Sequence, residues 1–156
     1  MKWENFDEKL YKRIYKKVEA QIDEQPVKIF ANDISPEMIK KATRNAIKAG
    51  LINKIKFTKK DFFEMESPLK NGFLIFNPPY DERLKEADIK DFYKKIGDTL
   101  KQKYSGCDAW IFSGNLRALK YIGLKHSGKH ILMNGPIDSR LVHFELYSGS
   151  RKEEKL

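Results

Sequence analysis

Three features of this 156-residue sequence predict an α/β fold with a mostly parallel sheet. Short apolar runs alternate with longer amphipathic stretches, in the order strand, helix, strand, strand, helix, strand, helix. The runs Val27 to Ala31 and Phe73 to Phe76 have strand length, and each is followed by polar or rigid residues rather than by a continuing helical pattern. Residues 129–147 read as two strands around a turn at Asn134-Gly135-Pro136, which adds an antiparallel hairpin at the edge.

Each element has a local reason. From Asp7 to Asp23, Leu10, Ile14 and Val18 recur every four residues with Tyr11 and Tyr15 beside them, while Lys12, Arg13, Lys16 and Lys17 lie elsewhere on the wheel. This predicts an amphipathic helix that Pro26 ends. After the strand Val27 to Ala31, Asn32-Asp33 closes the run and Ser35-Pro36-Glu37 is a helix start: an N-cap hydroxyl, a proline at the first helical position and an acid in the first turn. That helix runs through Met38, Ile39, Ala42, Ala46 and Ala49 to a stop at Gly50. Ile55 to Phe57 is a second strand, ending near Asp61, and Phe73 to Phe76 a third. A long helix from Ile89 to Tyr104 turns Ile89, Phe92, Tyr93, Ile96 and Leu100 inward. Ala109 to Phe112 is a strand, and Leu116 to Ile122 a further helix. Trp3, Trp110 and the phenylalanines are expected in the core. Residues 1–150 are expected to form one domain and 151–156 a charged, disordered tail.

Composition narrows the function classes. Lys and Arg outnumber Asp and Glu by 31 to 22, a net charge of +9. Such a balance favours polyanionic partners through counterion release, although solvated helix faces produce the same count. The single cysteine, Cys107, excludes a disulfide framework and a cysteine metal cluster, and reads as core. His126, His130 and His143 lack metal-ligand spacing, so no metal is expected. No apolar stretch approaches membrane-spanning length, and the N-terminus has no signal-peptide pattern. A cytoplasmic location is expected.

The chemistry concentrates at strand ends, where open α/β sheets bind ligands. Asp33 follows the first strand; a carboxylate there accepts from ribose hydroxyls, or simply starts the next helix. Asp61-Phe62 follows the second; the acid suits an amino group and the ring a flat partner, with a loop Asp and a core Phe as the plainer reading. Asn77-Pro78-Pro79-Tyr80 follows the third and is hard to explain as structure alone. An exocyclic amine on a nucleobase is a poor nucleophile, because its lone pair is delocalised into the ring. Two acceptors on its two N–H groups turn the nitrogen toward tetrahedral geometry and aim the lone pair. The Asn77 side-chain carbonyl and the Pro78 backbone carbonyl are suited to that role, with the prolines fixing the backbone. Tyr80 offers a face for a base removed from its stack.

Asn77-Pro78-Pro79-Tyr80 resembles the motif of S-adenosylmethionine-dependent amino-group methyltransferases. With Asp81-Glu82-Arg83-Leu84 it resembles the bacterial large-subunit (23S) rRNA guanine-N(2) methyltransferases, which also carry a THUMP domain and usually have Gly at the position of Asp81. Residues 29–36, 42–46, 97–101, 109–115 and 134–137 agree with the same family, so the resemblance covers nearly the whole chain. It implies a Rossmann-like methyltransferase sheet with S-adenosylmethionine as cofactor and rRNA as partner. It implies a catalytic set of Asn77, Pro78, Pro79 and Tyr80, and a cofactor-binding set of Asp33, Ile34, Asp61, Phe62 and Asn77. Within that set Asp33 holds the ribose and Asp61 with Phe62 the adenine. DNA adenine and protein glutamine remain alternative substrates for the tetrapeptide, as does a non-catalytic RNA-binding remnant.

One departure bears on activity. The family's first strand ends in a Gly-rich loop that wraps the methionine part of the cofactor, and none of the nine glycines here forms a Gly-x-Gly. The family's sheet order puts that strand between those ending at Asp33 and at Asn77. The expectation is a partial domain that needs a complementing N-terminal chain or domain, and that alone binds S-adenosylmethionine poorly.

Overall fold

The computed structural model of the chain describes residues 3–23, 25–79 and 86–148. Helix α1 (Glu8–Glu19) is capped by Asp7, whose Oδ1 accepts from Leu10 N–H at 2.9 Å, and carries a Glu8–Lys12 ion pair. Strand β1 (Ile29–Asp33) leads into α2 (Pro36–Lys48), with Ser35 as N-cap and Pro36 in the first turn, as the sequence predicts. Strand β2 (Ile55–Lys59) is followed by a 3-10 turn, Phe62–Glu64. Strand β3 (Gly72–Phe76), helix α3 (Glu86–Lys103) and strand β4 (Cys107–Ser113) come next. The helix expected from Leu116 is instead a five-residue 3-10 turn, Ala118–Ile122, halted by Gly123 at φ +65°. Strands β5 (Gly128–Asn134) and β6 (Ile137–Glu145) form the hairpin. Its loop is Gly135-Pro136, with Gly135 at φ +59°, the first-position glycine that a II′ turn demands.

The strands make two sheets. β1 pairs with β2 in parallel, Ile29 opposite Ile55 through Asp33 opposite Lys59. The second sheet has the order β3-β4-β6-β5, with β3 and β4 parallel and β6 antiparallel to both neighbours. Thus β6 is an interior strand, whereas the sequence reading placed both hairpin strands at the edge. Pairing with β4 buries Val142 and Phe144 on the core face, which outweighs chain proximity. Among the described residues β1 and β3 are not paired, so each keeps an open edge. The break falls between the two strands that the sequence reading expects a further strand to separate.

The core lies on one face of the larger sheet. Tyr93, Ile96 and Leu100 of α3 pack against Ala109 and Ile111 of β4 and Val142 and Phe144 of β6. Cys107 is buried there, as expected. Gly97 lets α3 approach the 3-10 turn after β4: a Cβ at that position would lie 1.8 Å from the Ile122 carbonyl oxygen. The opposite face is open. Phe73 and Ile75 of β3 are 74% and 76% exposed, and Trp3 is 74% exposed. The periodic apolar residues of α1, Leu10, Ile14 and Val18, are exposed as well, and α1 buries no residue. The expectation of a core role for Trp3 and Phe73 is therefore corrected. The pattern of the stripe is that of a buried face, but no described element covers it. Trp110 is half-buried on this face, stacked on His143 at 4.3 Å between ring centroids, and His143 Nε2 lies 2.6 Å from Asp108 Oδ1.

Candidate functional site

Because β1, β2 and β3 all run into their loops after Asp33, Lys59 and Phe76, the candidate residues sit at strand C-terminal ends. Asp33 and Asp61 adopt the same local design. Asp33 Oδ1 accepts from Ser35 N–H at 2.7 Å, and Asp61 Oδ1 accepts from Phe63 N–H at 2.8 Å. Each is a turn in which the side chain binds the backbone two residues on. One carboxylate oxygen is thereby fixed, and among the described residues the other oxygen of each is left for a ligand. Both residues are half-buried, so the carboxylates are oriented before any ligand arrives.

The two acids are also tied together. The ladder continues one step past its last pair, Lys60 N–H donating to Asp33 O at 3.2 Å. Asn32 Nδ2 donates to Lys60 O at 2.9 Å. Ile34 is largely exposed beside Asp33. Phe62 faces inward: its ring is stacked on Tyr104 at 5.5 Å and lies 5.4 Å from Phe76 and 5.6 Å from Phe63. Phe62 thus joins the turn after β2 to the residue that precedes Asn77.

Asn77 is exposed, Pro78 is buried and Pro79 is exposed. Tyr80 lies outside the described residues, as do Asp81 to Leu84. The buried Pro78 follows directly from the last β3–β4 pair, Phe76 opposite Ile111, and so lies level with the end of β4. A small network anchors that end. Tyr93 Oη and Ser113 Oγ are 2.9 Å apart, Ser113 Oγ accepts from Asn115 N–H at 3.1 Å, and Asn115 Oδ1 accepts from Ala118 N–H at 2.9 Å. Sequence reasoning did not single out Tyr93, Ser113 or Asn32 as site residues. The signal for Ser113 was a hydroxyl closing an apolar strand, and for Asn32 an amide closing another, which the structure extends through Asp33.

Among the described residues no group of three His, Cys, Asp or Glu side chains is placed to hold a metal ion. No described helix is long and apolar enough to cross a membrane. A depression of about 510 Å³ along α2, lined by Glu37, Lys40, Lys41, Thr43, Arg44 and Ile47, shares no residue with the strand ends.

Residues 2–143 match the RMKL-like, methyltransferase domain family. The chain belongs to that family. A proposed RNA methyltransferase of Synechocystis sp., slr0064, is 37% identical over 147 residues, covering 93% of this chain and 38% of that protein. The ribosomal RNA large subunit methyltransferase K/L of Hahella chejuensis is 35% identical over 129 residues, covering 80% of this chain and 18% of that protein. Among solved structures, the candidate methyltransferase SMU.472 complexed with SAH superimposes with a TM-score of 0.80 at 26% identity, covering 95% of this chain and 40% of that one. A methylase candidate from Clostridium difficile 630 gives 0.79 at 29% identity, covering 96% and 40%. The fold of this RMKL-like domain is therefore the Rossmann-like one of these methyltransferases. The chain spans two fifths or less of the length of each of these relatives.

Proposed function

We propose that this RMKL-like chain carries the nucleoside-binding and substrate-clamping part of an S-adenosylmethionine-dependent methyltransferase acting on a guanine exocyclic amino group in large-subunit (23S) rRNA. The observation that carries the reading is the pair of pre-oriented carboxylates, Asp33 and Asp61, at the same strand ends as Asn77-Pro78-Pro79. The donor set fits the nucleoside end of the cofactor: Asp33 accepts from ribose hydroxyls, Asp61 from the adenine amino group, and the exposed Ile34 offers apolar contact. Phe62 contributes from behind, holding Asp61 against the aromatic cluster. When bound, S-adenosylmethionine supplies the methyl group.

The residues of the chain do the positioning. Asn77 Oδ1 and the Pro78 carbonyl accept the two N–H groups of the target amine. Tyr80 stacks on the extruded base. Pro78, buried beside the Ser113 network, keeps the two acceptors from drifting, which is the source of preorganisation. The net charge of +9 favours RNA, in a cytoplasmic setting.

A complementing polypeptide segment completes the site. The unpaired edges of β1 and β3, the open face around Phe73 and Ile75, and the bare α1 all support this part of the reading. The test mixes the purified chain with the segment that precedes the matched region in an RMKL-like relative, and follows labelled methyl transfer to 23S rRNA, DNA and protein. Transfer to rRNA only in the mixture is expected. Micromolar binding of S-adenosylmethionine to the chain alone refutes the need for a complement, and absence of transfer from every mixture refutes the activity.

A further inference from the structure

We infer that Asn32 is a positioning residue: its side-chain amide clamps the turn after β2 to the end of β1 and so sets the spacing of the Asp33 and Asp61 carboxylates. The inference deepens the nucleoside-site reading above and rests on it for its functional meaning. Its evidence is local. Lys60 is held at both ends of its own residue, its N–H donating to Asp33 O at 3.2 Å and its C=O accepting from Asn32 Nδ2 at 2.9 Å. The second bond replaces the backbone donor that a continuing parallel strand would have supplied. Asp61 follows immediately, and its carboxylate is oriented by Phe63 N–H at 2.8 Å. The clamp therefore connects one carboxylate to the other through adjoining peptide groups.

The amide has one workable orientation. Asn32 Oδ1 is buried and unpartnered, the one such side-chain atom among the described residues. A flipped amide would set that oxygen against the Lys60 carbonyl, acceptor against acceptor, and lose the donor. A residue kept in place only for packing has no need of an amide that leaves a buried acceptor unpaired.

The test uses the full 156-residue chain with Asn32→Ala, which removes the donor, and Asn32→Asp, which keeps the shape but sets a carboxylate oxygen against the Lys60 carbonyl. Amide exchange at Lys60 and Phe63 is read by NMR, adenosine affinity by titration, and global stability by urea midpoint. Both variants are expected to exchange about tenfold faster at these two amides and to bind adenosine several-fold more weakly, Asn32→Asp at least as strongly affected as Asn32→Ala. The urea midpoint is expected to move little, because the clamp lies outside the main core. Unchanged exchange at Lys60 and Phe63 in both variants overturns the clamp. Accelerated exchange in the variants, with no adenosine binding by the wild type even when the complementing segment is added, supports the clamp and removes the nucleoside reading instead.

Discussion

Truncation of Phe62 to Ala tests how the two sheets are joined. Among the described residues they share no ladder, and the Phe62 ring contacts both Phe76 and Tyr104 across the junction. Each aromatic pair contributes about 0.5–1.5 kcal/mol beyond the area it buries. Full burial would put Phe→Ala at about 3–5 kcal/mol, and Phe62 is half-buried, so a value at or just below the bottom of that range applies. A loss of about 2–3 kcal/mol lowers the urea midpoint by roughly 1–2 M for a domain of this size. The loss is not shared evenly. Phe63 still packs on Phe92, and the core beneath β4 is untouched. The unit of β1, β2 and α2 therefore separates first. Fluorescence of Trp110, in a Trp3→Phe background, reports the larger sheet, and amide exchange of residues 29–33 and 55–59 reports the smaller. The expected result is coincident unfolding in the parent and an earlier transition for the small sheet in the variant. A Phe62→Ala chain whose midpoint stays within about 0.3 M of the parent, with all probes coincident, refutes the reasoning.

Other substitutions probe single contacts. Gly97→Ala puts a Cβ 1.8 Å from the Ile122 carbonyl; overpacking of about 1–3 kcal/mol or more outweighs a helix-propensity gain of about 1 kcal/mol, so the melting temperature is expected to fall by several degrees in calorimetry. Burial holds the Tyr104 phenol above its ordinary pKa, with Glu66 adding to the effect. The folded state thus prefers the neutral ring, and the stability this confers is present below the unfolded value near pH 10 and lost as pH rises through the folded one. Tyr104→Phe is expected to flatten the alkaline limb of a stability-against-pH curve; an unchanged limb counts against this. In the complemented enzyme, Asn77→Ala is expected to lower kcat by about 10²–10³-fold with a smaller effect on rRNA affinity, as measured by single-turnover methyl transfer.

Most of the strand positions were legible, because apolar runs of strand length ended in recognisable punctuation. Ser35-Pro36 marked the start of α2, Gly50 its end, and Gly135-Pro136 the hairpin loop. The placement of β6 between β4 and β5 was not legible, since it depends on pairing across more than thirty residues, Asp108 with Glu145 for example. The apolar stripe of α1 was legible as a pattern only: periodicity states which face seeks burial, not whether a neighbour is present. Tyr80 lies outside the described residues, while Asp33, Asp61 and Asn77 to Pro79, named from the sequence, are placed by the structure at strand C-terminal ends. The hydrogen bond from Asn32 to Lys60 was not legible, because an amide on a backbone carbonyl leaves no spacing rule in the chain.

The open edges of β1 and β3 carry a consequence for the life of this polypeptide. Unpaired strand edges template association with any extended chain, and the β3 edge borders the exposed Phe73 and Ile75. Copies made in excess of the proposed complementing segment would display an unpaired edge and apolar surface of the kind that chaperones and proteases act on. The supply of that segment, rather than the rate of synthesis of this chain, would then set how much of it persists in soluble form.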